Sequence, residues 1–170
     1  QWQRLLGGSG VDEGHTIKQT SDGGFIIAAE SNSNDGDITG HHGGVYPRDA
    51  WIIKLSSIGN IQWQKSIGGD GDDTAYSIQQ TSDGGYIFSG YSNSNNGDLT
   101  LNYGGYDFLI VKLNSAGTIV WQKTFGGSDY DYSESIQQTS DGGYIVAGAT
   151  NSYNGDVTSN QGSGDWWIIK

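Results

Sequence analysis

Apolar and polar residues alternate along this chain in short runs separated by small and polar clusters, the two-residue period of strands half buried in a sheet. "SESIQQT" and "GYIVAGAT" alternate on either side of "SDGG", and "DFLIVKL" and "TIVWQKTF" flank "NSAG" with Gly117 at the turn. Each pair predicts a β-hairpin, and Asp-Gly between such runs predicts a turn whose two central residues both take positive φ. No segment sustains apolar residues at i, i+3, i+4 and i+7, so an all-β chain without helices is expected.

The hairpin is written three times. "SIQQTSDGGYI" runs from Ser77 to Ile87 and again from Ser135 to Ile145, with a near copy, "TIKQTSDGGFI", from Thr16 to Ile26. Trp2, Trp63 and Trp121 are 61 and 58 residues apart, as are Asp22, Asp83 and Asp141, whereas Asp49, Asp107 and Asp165 are spaced by 58 and 58. The three extra residues of the first unit therefore fall within "ITGHHGGVYPR", which marks that segment as a loop. The expected units are residues 12–63, 73–121 and 131–170 plus 1–6, within a single repeat domain of 1–170. Four antiparallel strands per unit, repeated radially, describe the blade of a β-propeller.

"GGSDYDYSESIQQTSDGGYIVAGATNS", with "DWWIIK" after it and "LNSAGTIVWQKTFGG" in the preceding unit, resembles the β-propeller repeat of secreted and surface proteins of bacteria and archaea. The resemblance covers the chain in three copies and implies an extracellular or cell-surface scaffold or adhesive role. Three blades are too few to close a ring, which normally takes ~4 to 8. The chain opens at "QWQRLLGG", which reads as a fourth strand, and stops at "DWWIIK", which reads as a third. A two-fold homodimer of six blades, each N-terminal strand completing the partner's last blade, is the expected assembly. A window cut from a longer array and a β-trefoil are the alternatives.

Composition narrows the function. Of 170 residues, 34% are hydrophobic and 29 are glycine, enough to fill a core and far above usual glycine content. No apolar run approaches the ~18 residues of a membrane span, and the lack of an initiating Met, or of a basic or hydrophobic leader at Gln1, sets the expectation of a processed or excised piece. A net charge of −11 opposes binding to nucleic acid, because each phosphate contact would work against the protein's own field. Zero Cys removes disulfides and thiolate chemistry. Most acidic residues fall in the loops that lead into the first strand and in those joining strands two and three, so one face is expected to be acidic, with Arg48 as the only Lys or Arg in those loops.

Two uses compete for the recurring carboxylates. They accept hydrogen bonds from loop backbone N–H groups, as aspartate does in turns, or "NSNDGDIT", "NSNNGDLT" and "NSYNGDVT" hold calcium through Asp37, Asp98 and Asp156. The spacing does not match the EF-hand loop. Catalytic patterns such as G-x-S-x-G and H-E-x-x-H are missing, and no His recurs, His15 being matched with Tyr76 and Ser135. A non-enzymatic binding or scaffold module is therefore expected, glycoside hydrolysis by paired carboxylates being the weaker option. Trp2, Trp63 and Trp121 are expected to pack between units. Tyr91, Tyr103, Tyr106, Tyr153 and Trp166 are the candidates for stacking on a glycan, which repeated sites would bind with avidity.

Overall fold

The computed structural model describes all 170 residues and contains eleven strands and no helix. The strands are β1 (Asp12–Gln19), β2 (Phe25–Ser31), β3 (Asp49–Leu55), β4 (Ile61–Ile67), β5 (Asp73–Gln80), β6 (Tyr86–Ser92), β7 (Asp107–Leu113), β8 (Ile119–Phe125), β9 (Asp131–Gln138), β10 (Tyr144–Thr150) and β11 (Asp165–Ile169). They form three antiparallel sheets ordered β1-β2-β3-β4, β5-β6-β7-β8 and β9-β10-β11. Each repeat unit is one sheet.

The "SDGG" hairpins close differently from the expected turn. Only the glycine is left-handed, with φ of +78° at Gly23, +81° at Gly84 and +85° at Gly142, and no other residue type has positive φ. Gly23 N donates to Thr20 O, and Thr20 N to Gly24 O, so a type I turn is followed by a left-handed glycine. The aspartate side chain explains the choice. Asp22 Oδ1 accepts from Thr20 Oγ1 at 2.5 Å and from Gly24 N at 3.0 Å, which fixes Asp22 in the ordinary right-handed region. Lys54 Nζ, on the adjacent β3, then bonds Asp22 Oδ2 and Leu55 O, both at 2.9 Å.

The sheets stack on one another through their faces. Ala50 and Ile52 of the first pack with Ala75, Ile78 and Phe88 of the second, and Phe108 and Ile110 of the second pack with Ile136 and Val146 of the third. A tryptophan marks each junction. Trp63 stands edge-on to Tyr86 at 5.6 Å between ring centroids, and Trp121 meets Tyr144 at 5.8 Å. Trp2 meets Phe25 in the same way at 5.9 Å, although Gln1–Leu6 form no strand. This segment lies against the first sheet, with Arg4 Nε donating to Gly59 O, but no neighbouring strand bonds its backbone.

Gly117 shows how tight a junction is. It has φ of +79°, and an added Cβ would lie 2.9 Å from the Trp63 ring. Gly117→Ala is expected to cost about 1–3 kcal/mol through left-handed strain and displacement of the indole. Thermal melting checks this, and an unchanged midpoint would show that the ring has room.

The third sheet lacks a fourth strand, and its outer positions show the consequence. Trp166 is 75% exposed where the matching Ala50 and Phe108 are fully buried, and Ile168 is 63% exposed where Ile52 is buried. The recurring lysine side chain is 4% exposed at Lys54 and 5% at Lys112, but 56% at Lys170.

Candidate functional site

The first strand of each sheet departs from regular pairing at one residue. Gly14 pairs with Ala29 and Thr16 with Ala28, which leaves His15 extra; Tyr76 and Glu134 are extra in the same way in β5 and β9. Such bulges re-aim a side chain out of the ladder. The register also corrects the expected matching, because the counterpart of His15 and Tyr76 is Glu134 rather than Ser135, which pairs with Ala147. The bulge brings backbones close together: an added Cβ at Gly90 would lie 1.7 Å from Thr74 O, so only glycine fits there.

β5 lies against β1 and β2 of the preceding sheet, and β9 against β5 and β6, so the three first strands stand side by side as a continuous wall. The bulged residues open onto it. His15, Tyr76, Tyr132, Glu134 and Ala149 line a cavity of about 610 Å³. Around it the units differ in residue type although their neighbours repeat closely. Glu13, Thr74 and Tyr132 share one position, Glu30, Tyr91 and Ala149 another, and Arg48, Tyr106 and Gly164 a third.

These divergent side chains contact one another. Arg48 is paired with Glu30, whose second oxygen accepts from Thr74 Oγ1 at 2.5 Å and lies 3.5 Å from His15 Nε2. His15 and Tyr76 rings are 4.7 Å apart, and Tyr91 lies 5.6 Å from Tyr76, 4.8 Å from Tyr106 and 5.3 Å from Tyr132. Tyr130 stacks beside Tyr132, and Tyr106 Oη donates to Asp72 Oδ2 at 3.0 Å. Burial pushes the Tyr76 phenol up to about 12, and burial together with the bond to Asp72 pushes Tyr106 higher still, so both stay neutral donors at physiological pH. Glu30 is held below its ordinary range because Thr74, Arg48 and His15 outweigh the cost of its burial.

Of the expected stacking residues, the structure brings Tyr91 and Tyr106 into this cluster. Tyr103, Tyr153 and Trp166 lie apart, each exposed. Tyr103 N donates to Asp107, the first residue of β7, at 2.5 Å, and Tyr153 Oη bonds Gly162 O within its own loop. Tyr76, Tyr130, Tyr132, His15 and Glu134 were not anticipated. Their signal was present as the positions where near-identical units disagree.

The recurring aspartates serve the loop backbone. Asp12 accepts from Gly8 N at 2.8 Å, Asp73 from Gly69 N at 2.9 Å and Asp131 from Gly127 N at 2.9 Å. Asp37, Asp98 and Asp156 occupy the loops of three different sheets and do not converge. Asp37 Oδ2 accepts from Gly7 N at 3.2 Å and Asp156 Oδ2 from Gly126 N at 3.3 Å, while Asp98 N donates to Gly68 O at 2.9 Å. All three clamp a loop to the segment preceding its sheet. No group of three or more His, Asp or Glu side chains is placed to hold a metal ion. Neither a family model nor a curated protein matches this chain.

Proposed function

We propose that the protein is a non-enzymatic extracellular binding module of β-propeller type, whose ligand meets the inner wall of the first strands. The observation that carries this reading is the convergence of the divergent positions. Copies that agree at turn and loop-clamp positions differ in His15, Tyr76 and Glu134, and these three share one cavity. A repeat kept for scaffolding alone has no reason to place a His, a Tyr and a Glu at one bulge position. Several equivalent loop sites would instead repeat their chemistry.

The ring is completed by a second copy. The bare edge of β11 offers unpaired backbone groups, and Gln1–Leu6 lies on the first sheet with its own backbone unpaired. Transferring the β3–β4 register, in which Ala50 opposes Ile67, Ile52 opposes Lys65 and Lys54 opposes Trp63, sets Trp166 against Leu6, Ile168 against Arg4 and Lys170 against Trp2 of the partner. The exposed Trp166 and Ile168 then meet the outer face of the partner's first sheet, where Ile17 is also exposed.

Binding of the intact protein to a glycan array and to whole bacterial cells tests the function. Tyr76→Ser with Tyr132→Ser is expected to abolish binding, whereas Tyr103→Ser with Tyr153→Ser leaves it unchanged. The opposite result would move the site to the outer loops. No binding by wild type to either would leave a spacer role in its place.

A further inference from the structure

Resting on the inner wall as the binding surface, we propose that its cavity takes the positively charged head of a small organic cation, an ammonium or guanidinium group. The lining is a carboxylate, Glu134, with two phenol rings, Tyr76 and Tyr132, the imidazole of His15 and the methyl of Ala149. No Lys, Arg or amide side chain is among them. Glu134 is exposed to solvent on a bulge, and Glu30 also adds its negative field at Tyr76.

A cation set against ring faces is attracted by their negative quadrupole, and the attraction grows where water is partly excluded. The rings here are held in place rather than loose. Tyr91 meets Tyr132 edge-on at an interplanar angle of 87°, and His15 meets Tyr76 edge-on at 62°, so the lining cannot collapse into the space. The one nearby base, Arg48, is occupied by Glu30 and by Glu13, 3.4 Å away. A net charge of −11 raises the local concentration of small cations. A neutral sugar could stack on the same rings and bond Glu134, His15 and the phenols, but it would gain nothing from the negative field, which favours a cation.

The test is NMR titration of the intact, assembled protein with tetramethylammonium chloride, using potassium chloride at matched ionic strength and neutral tert-butanol as controls. The Tyr76 and Tyr132 ring resonances are expected to shift saturably with tetramethylammonium and not with either control. Affinity is expected to fall by about tenfold or more in Tyr132→Ala, at a half-buried ring, and by roughly threefold or more in Glu134→Gln, at an exposed carboxylate, the fold of each being checked by melting. Arginine methyl ester and choline then separate guanidinium from ammonium ligands. Equal response to tert-butanol, or unchanged affinity in both variants, overturns the proposal. A neutral glycan that binds in the cation's place, with loss in Tyr132→Ala, overturns the cation while keeping the inner-wall site. Rings unmoved by every cation and glycan tried would remove both.

Discussion

Deleting Gln1–Leu6 is expected to convert a particle of twice 18.2 kDa into a monomer that aggregates on concentration. In one chain Leu5 is 100% exposed and the segment's backbone is unpaired, although Trp2 and Arg4 already hold it against the first sheet. Pairing with β11 of a second copy would supply several ladder bonds, each worth about 1 kcal/mol net. Burying Leu5 and Trp166 would add about 1.5–3 kcal/mol for each side chain. Two-fold symmetry makes this contact twice, so its loss weakens association by many orders of magnitude. The uncovered β11, short but with Trp166 and Ile168 exposed, is then an apolar edge that recruits other edges. Light scattering on wild type and truncation decides the matter. A wild-type chain that stays a stable monomer, or a truncation that keeps the mass and the melting point, would overturn strand exchange. A milder variant, Ile168→Asp, is expected to dissociate the dimer while each half keeps its β-type far-UV spectrum.

The strands were legible because their period is local. "DFLIVKL" becomes β7, and the duplicated "SIQQTSDGGYI" becomes the β5–β6 and β9–β10 hairpins, as alternation and turn residues dictate. The kind of turn was not legible, because it depends on where a side chain sends its oxygen. Asp22 spends its carboxylate on Thr20, Gly24 and Lys54, so the glycine alone is left-handed. The bulges were hidden for a related reason. One extra residue in each first strand shifts the alternation after His15, Tyr76 and Glu134, whereas the repeat spacing itself matches these three, so the expected match to Ser135 is one residue out. Sameness between copies drew the eye to the recurring aspartates, which hold loops. The candidate site sits in the differences, and Tyr132 stands out only when Glu13 and Thr74 are recognised as its counterparts. Gln1–Leu6 reads as a strand by pattern, yet a strand also needs a neighbour, which a single chain does not supply.

Stability is expected to be greatest at about pH 4 to 5 and to fall as the pH rises through 7, the reverse of the usual loss on acidification. The cause is pairs of carboxylates buried where consecutive sheets meet. Asp49 and Asp73 face one another across Gly68, an added Cβ of which would lie 2.5 Å from Asp49 Oδ1 and 2.6 Å from Asp73 Oδ2. Asp107 and Asp131 face one another across Gly126 in the same way, and Asp49, Asp107 and Asp131 each leave a buried oxygen unbonded. Burial pushes Asp73 up to about 7 despite donors from Ser92, Gly69 and Ser94, and it pushes Asp107 up to about 6. Burial also raises Asp49, against the bonds it accepts from His42. Carboxyls that hold protons more tightly folded than unfolded make folding take up protons, so stability declines from the unfolded value near 4 to the folded value near 7. For Asp73 the shift amounts to on the order of 4 kcal/mol, or roughly 10 °C in melting temperature for a chain of this size. His42 acts in the same sense. Its bond to Asp49 raises it despite burial, and the contribution is lost as the pH climbs past its folded value. Glu30, Asp22 and Asp83 act in the opposite sense, because their folded values are lowered, and they remove stability only below about 4. Melting curves from pH 4 to 8 on wild type and Asp73→Asn supply the measurement. The amide keeps an oxygen for Gly69 N and Ser94 Oγ and turns its N–H to Ser92 Oγ, which can accept it, so the variant is expected to lose at least half of the pH dependence and to melt higher than wild type at pH 8. A wild-type midpoint that rises between pH 5 and 8, or an Asp73→Asn profile parallel to wild type, would show that these carboxylates are charged in the fold and balanced by groups other than those described.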